Sequence, residues 1–176
     1  LGNMASRNRG GRKAPKSNDA ELNSLFELFS KVARKTTHEE YRKIADRLKK
    51  PRSQRPVLSL KHLVKYTTPC QDKLAVVVAK VVSHDSIVEI PHKIKLACLS
   101  ISRSAKEKIE KYGGEVYKLD EIFKVAPTPK DMVIFQGRLK ARKAYRYFGR
   151  ASDKKNPAAP RVISKGSEKR RKPLKK

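Results

Sequence analysis

Cations set among glycines, prolines and aromatic rings are the residues whose types and spacing suit chemistry in this chain, and that chemistry is the noncovalent neutralisation of phosphate. Three stretches carry them. Arg9-Gly10-Gly11-Arg12-Lys13, with Arg7 before it and Lys16 after it, joins bidentate guanidinium donors to glycines that let the backbone approach an anion closely. Lys49-Lys50-Pro51-Arg52-Ser53-Gln54-Arg55-Pro56 holds Arg52 and Arg55 between two prolines, so less entropy is lost when they are ordered against a ligand. Arg138, Lys140, Arg142, Lys143, Arg146 and Arg150 are interleaved with Tyr145, Tyr147 and Phe148. Cations neutralise phosphates there, and rings stack on unpaired bases at roughly 1–3 kcal/mol each. Tyr145 and Phe148, three residues apart, suit base stacking and suit equally the anchoring of one helical turn on a folded body. Plainer readings stand beside the first two stretches: a solvated linker and a charged loop between helices. Further on, Lys165 and the run Lys169-Arg170-Arg171-Lys172 add phosphate-neutralising charge, and the run also has the form of a nuclear-entry cluster.

The other reactive residue types do not assemble. His38, His62, His84 and His92 share no i, i+4 spacing and have no carboxylate cluster beside them, so solvated or phosphate-contacting imidazoles are expected rather than metal ligands or bases. Cys98 alternates with apolar strand residues and reads as a small buried hydrophobe; Cys70 lies in a Thr-Thr-Pro-Cys turn with no base nearby. Neither has a CxxC partner, which fits a reducing compartment without a disulfide scaffold or a zinc site. Gly113-Gly114 follows a helical pattern and lacks the spacing of a phosphate loop, so it reads as a helix stop. The sequence predicts no catalytic residue, no metal, no cofactor and no small-molecule substrate.

Composition agrees. The 176 residues carry 44 Lys and Arg against 17 Asp and Glu, a net charge of +27, yet 38 % of positions are apolar. Such a charge repels itself unless a polyanion neutralises it, which makes nucleic acid the expected partner. The longest apolar run, 74–82, is interrupted by Lys80 and falls short of the roughly 18 residues of a membrane span, and residues 1–16 lack the apolar stretch of a secretory signal. Acidic residues are distributed unevenly. Residues 1–17 have none, residues 18–137 carry 15, and residues 138–176 carry only Asp153 and Glu168. The expected organisation is a basic N-terminal arm over 1–17, a globular body over 18–137 and a basic C-terminal extension over 138–176. The two extensions lack the apolar periodicity that buries a core.

Within the body, Ser17 or Asn18 is expected to cap a first helix, Asn18 and Glu21 having capping-box spacing, with Leu22, Leu25, Phe26, Phe29 and Val32 on one face. Residues 37–40 have the same spacing ahead of a second helix, striped by Tyr41, Ile44, Ala45 and Leu48 and ended by Pro51. Ser59 is read as the cap of a short helix. The period then changes. Residues 74–82 read as a strand buried on both faces, 87–90 and 94–101 as two more strands, and a helix capped by Ser102 runs to Gly113. Residues 115–117 and 132–135 read as strands flanking a short helix at 119–125. The fold class expected is α/β: a small irregular core behind two N-terminal helices, with extended basic arms.

Several of these motifs in order, Lys16-Ser17-x-Asp19, Arg52-x-x-Arg55-Pro56-x-Leu58-Ser59-Leu60, Ala75-Val76-Val77-Val78, Gly113-Gly114 and Tyr145-Arg146-x-Phe148-Gly149-x-Ala151, resemble the large-subunit ribosomal protein L-eighteen family across residues 13–166. The resemblance implies a fold shared with bacterial ribosomal protein L-fifteen, an irregular β-β-α winding preceded by helices. It implies a non-catalytic constituent of the large subunit that binds rRNA beside neighbouring large-subunit proteins, in cytoplasmic ribosomes after assembly in the nucleus. The basic tail looks like the eukaryotic form. Position by position, the rRNA contacts it implies are Lys16, Arg52, Arg55, Arg146 and Arg150. The chain departs from the family over 1–11 and in a shortened tail after Ala151, so contacts by Arg7, Arg9, Lys165, Arg170 and Arg171 rest on charge alone. A free nuclear RNA- or chromatin-binding protein is the other reading that the Lys- and Pro-containing tail permits.

Overall fold

A computed structural model describes residues 12–141. By internal contacts the chain divides into Leu1–Gly137 and Arg138–Lys176; the described start of the second unit holds a 3-10 turn, Leu139–Ala141.

The first unit is organised by β2 (Leu74–Val82), whose Leu-Ala-Val-Val-Val-Ala sequence offers water no polar face until Lys80. A strand of that kind must be covered on both sides. Leu74, Val76 and Val78 enter one cluster, with Leu22 and Phe29 of α1 (Ala20–Lys35), Tyr41, Ile44, Ala45 and Leu48 of α2 (Glu39–Leu48), and Ile122 of α5 (Ile122–Val125). Ala75, Val77, Ala79 and Val81 enter the other, with Leu60 and Leu63 of α3 (Leu60–Thr67) and Ile109 of α4 (Arg103–Lys111). The first unit is thus an α/β sandwich with helices on both faces of one sheet.

The five described strands all run parallel. β3 (Lys95–Ile101) lies along one edge of β2 and carries β4 (Glu115–Lys118) on its far side. The opposite edge of β2 is shared end to end: β5 (Met132–Phe135) pairs with Leu74 to Val77, and the two-residue β1 (Leu58–Ser59) pairs with Val81 and Val82. Where β5 leaves and β1 arrives, the backbones of Gly137 and Pro56–Val57 meet. A Cβ on Gly137 would stand 2.6 Å from the Val57 carbonyl oxygen, closer than side-chain carbons approach.

The helices and most strands form as expected, and the stripe Tyr41, Ile44, Ala45 and Leu48 is wholly buried. Gly113 takes φ +73° at the end of α4, the left-handed stop its sequence announces. Several details differ. The cap of α1 is Asp19, whose carboxylate accepts from the Glu21 and Leu22 amides, while Ser17 accepts from the Asp19 amide; the Asn18–Glu21 box does not form. His38 rather than Thr37 is the N-cap residue of α2 and makes no side-chain cap bond. Ser59 and Ser102 are the N-cap residues of α3 and α4 as expected but make no side-chain cap bond; Ser59 Oγ bonds His62 Nδ1 at 2.8 Å, and Ser102 Oγ accepts from the Ser83 amide.

Residues 87–90 are not a strand. Because β2 and β3 are parallel neighbours, the segment between them must return the full length of the sheet outside it. Ile87, Ile90 and Ile94 pack on the α3–α4 side, which produced the apolar pattern. The carbonyls that a strand would use are taken by side chains of α4 and of Tyr112 just after it: Lys108 Nζ donates to His84 and Ile87, and Tyr112 Oη donates to Val88 at 2.6 Å.

The junction of β5 with β1 sets a test of the packing. Gly137→Ala is expected to lower the unfolding free energy of the full chain by about 1–3 kcal/mol, because the carbonyl opposite is backbone and has little room to yield. Gly113→Ala, strained only in φ, should lose about 1 kcal/mol. Urea unfolding monitored by circular dichroism ranks the two.

Candidate nucleic-acid interface

The β5–β1 junction also gathers guanidinium groups. Pro51 ends the approach from α2, and a single 3-10 turn, Arg52–Gln54, carries the chain to the buried Pro56. Gln54 N donates to Pro51 O and Arg55 N to Arg52 O, so the loop is a folded turn rather than a free linker. Arg52 is exposed and Arg55 is partly buried against the body.

Arg55 is electrostatically ill at ease in the isolated chain. Its Nε is buried and meets no hydrogen-bond acceptor among the described residues. Burial pulls the guanidinium below its ordinary pKa, the like charge of Arg52 adds to that, and Asp19 opposes it. Buried donors are normally paired, so the orphaned Arg55 Nε can take an acceptor from outside the fold. Asp19, the one carboxylate acting on it, already serves the first amides of α1. Lys16 is three residues before Asp19, within about 11 Å of it along the chain.

Arg47 completes the group and was not singled out by sequence reasoning. Its Nη1 donates to the Phe135 carbonyl at 2.9 Å, tying α2 to the last residue of β5, and burial alone lowers its pKa. The signal was present: Arg47 is three residues past Ile44, on the flank of the buried stripe.

Of the other expected contacts, Arg12, Lys13 and Lys16 are exposed ahead of α1, and Arg138 and Lys140 are exposed after Gly137. Arg7, Arg9, Arg142, Lys143, Arg146, Tyr147, Arg150, Lys165, Arg170 and Arg171 lie outside the described residues, as do Tyr145 and Phe148. Within the described part the turn holds Arg52 and Arg55 together, and Asp19 at the start of α1 acts electrostatically on Arg55.

Catalytic alternatives find no support in the described residues. The histidines are dispersed: His84 Nδ1 accepts from the Ser86 amide, and His92 Nε2 bonds the buried Thr67 hydroxyl at 2.7 Å. No three His, Cys, Asp or Glu among the described residues are grouped to hold a metal. Cys98 is buried in β3, which pushes its thiol up to about 11, far from a nucleophilic thiolate at neutral pH. No described helix is long and apolar enough to cross a membrane.

Comparison with known proteins converges on one family. Residues 2–174 match the model for "Ribosomal protein 60S L18 and 50S L18e". The chain is 36 % identical over 160 residues to large ribosomal subunit protein eL18 of Aedes aegypti, covering 88 % of this chain and 84 % of the relative. It is 34 % identical over 159 residues to eL18A of Schizosaccharomyces pombe, covering 88 % and 83 %. To eL18 of Drosophila melanogaster it is 33 % identical over 157 residues, covering 88 % and 84 %.

The two half-buried arginines should separate on mutation. Arg47→Ala removes a charged donor from the Phe135 carbonyl and is expected to reduce stability by about 1–2 kcal/mol. Arg55→Met keeps the stem, removes the unpaired guanidinium and should leave stability equal to or above that of the native chain. Equilibrium unfolding of both variants checks the contrast.

Proposed function

The chain belongs to the 60S L18 and 50S L18e family of large-subunit ribosomal proteins, and from that premise we propose that it is a structural, non-catalytic constituent that binds folded rRNA through the arginines at its β5–β1 junction and through its two cationic extensions. The observation that carries this reading is Arg55: a desolvated guanidinium with an orphaned Nε, held beside Arg52 by a proline-bracketed turn. A phosphate oxygen supplies both the acceptor and the negative charge that the isolated chain lacks there.

Arg12, Lys13 and Lys16, exposed ahead of α1, and Arg138 and Lys140, exposed at the start of the second unit, add cations for the same ligand. Arg7, Arg9, Arg142, Lys143, Arg146, Tyr147, Arg150, Lys165, Arg170 and Arg171 are assigned rRNA contacts on grounds of charge and sequence. Closely packed RNA helices repel one another, and a cationic arm without a core of its own enters gaps that a globular body cannot. Ordering such an arm costs entropy, which counterion release offsets. With about ten phosphates neutralised, log K falls against log[salt] with a slope near −7 to −9. Neighbouring large-subunit proteins are the remaining partners, and assembly takes the chain through the nucleus to cytoplasmic ribosomes. The reading as a free nuclear RNA- or chromatin-binding protein rests on tail composition alone, and the family favours the ribosomal one.

Binding of the full chain to large-subunit rRNA across a salt series tests the proposal. Arg52→Ala with Arg55→Ala is expected to weaken binding and flatten the slope by about two. An unchanged slope would return the turn to a solvated loop between helices.

A further inference from the structure

Beyond the arginine junction, α3 displays a second surface whose chemistry is different. Lys61 and Lys65 are four residues apart on one exposed row of the helix, and neither is paired with a carboxylate among the described residues. His62 and Tyr66, also four apart, form the adjacent row, about 6 Å of helix rise separating one residue from the next. The rings continue inward: His62 to Tyr66 is 6.1 Å between centroids, and Tyr66 to Phe135 is 6.0 Å with planes within 21°. Phe135 and Tyr66 are half-buried against the core, whereas His62, at the outer end, is exposed.

His62 is not a loose surface side chain. Its Nδ1 bonds Ser59 Oγ at 2.8 Å and its ring leans on Tyr66, so its orientation is fixed from both sides before any ligand arrives. On the other flank, Lys61 and Lys65 share a shallow groove with Ser86, Ile87, Val88 and Glu89. That wall is itself held by α4: Lys108 binds the His84 and Ile87 carbonyls, and Tyr112 binds that of Val88, leaving the Val88 side chain 77 % exposed. Glu89 is the one acid lining the groove.

We propose that the α3 face, Lys61 and Lys65 beside His62 and Tyr66, is a docking platform for an unpaired RNA segment, its phosphates on the lysine row and one base stacked on His62. Charge complementarity selects RNA over a protein partner: two unpaired cations run parallel to a preorganised ring row in a chain of net charge +27. The platform rests on the rRNA-binding reading and gives that reading a sequence-tolerant, single-strand contact to complement the phosphate contacts at the arginine turn.

The probes are a fluorescently labelled, unstructured 12-nucleotide RNA and a blunt RNA duplex of equal length, each titrated with the full chain over a salt series. His62→Ala should weaken single-strand binding roughly fivefold or more while leaving the salt slope and duplex affinity unchanged, and His62→Phe should restore most of the loss. Lys61→Ala with Lys65→Ala should flatten the single-strand slope by about 1.4. If His62→Ala binds the single strand like the native chain, the platform is wrong, while native binding to both probes leaves the rRNA reading intact. Unchanged RNA affinity together with loss of the His62→Ala chain from large subunits would assign the face to a protein neighbour and also overturn the proposal. Failure of the native chain to bind either probe or rRNA would instead bring down the underlying reading.

Discussion

One edge of the central strand must be hydrogen-bonded by two segments that reach it from opposite ends of the body. β5 covers Leu74 to Val77 and β1 covers Val81 and Val82, so the backbone leaving Phe135 and the backbone entering Leu58 have to pass each other in the gap. Gly137 is the residue that allows it, its missing Cβ vacating the space occupied by the Val57 carbonyl. This closure brings the proline-bracketed turn to the point where the chain leaves the sheet, and Arg47 fastens α2 there through the Phe135 carbonyl. The position of the arginines follows from how the sheet satisfies its own edge.

That position has an electrostatic consequence. A turn packed against the body can shield Arg55 from water, but the fold offers its Nε no acceptor and supplies Arg52 as a neighbour. On the proposed reading, contact with an anion would supply the acceptor and the countercharge that Arg55 lacks in the isolated chain. The same logic runs through the composition. With 44 basic residues against 17 acidic, the chain suits a setting in which phosphate supplies the counter-charge. The described ion pairs, four contacts within single helices or their ends, do little to relieve it.

How much of this could be read from the sequence varies with the physics involved. β2 was legible because a run of Leu, Ala and Val without a polar face has one stable environment, and Lys80 appears where the helical cover of α1 and α2 ends. The stripes of α1 and α2 and the Gly113 stop were legible because they are local. Residues 87–90 misled because apolar residues such as Ile87 and Ile90 report which side faces the core, not whether neighbouring backbone is present to pair; only the parallel order of β2 and β3 decides that. Caps shifted by one residue because Asp19, Ser17 and Asn18 are all competent oxygens at the α1 start. Arg52 and Arg55 stood out from charge and proline. Arg47 did not, because its role depends on a carbonyl 88 residues away in sequence. The ring row through His62, Tyr66 and Phe135 was equally hidden, since it joins α3 to the last strand.

On the proposed reading, the arginine turn helps hold the protein on large-subunit rRNA. Sedimentation of cell lysate through sucrose at low and high salt, with the native chain and the Arg52→Ala, Arg55→Ala chain detected in each fraction, addresses it directly. The native chain is expected in large subunits and polysomes at both salt concentrations, and the double variant should move toward light fractions as salt is raised. Equal retention of both chains at high salt would contradict the account, and confinement of the native chain to light or chromatin fractions would contradict it entirely.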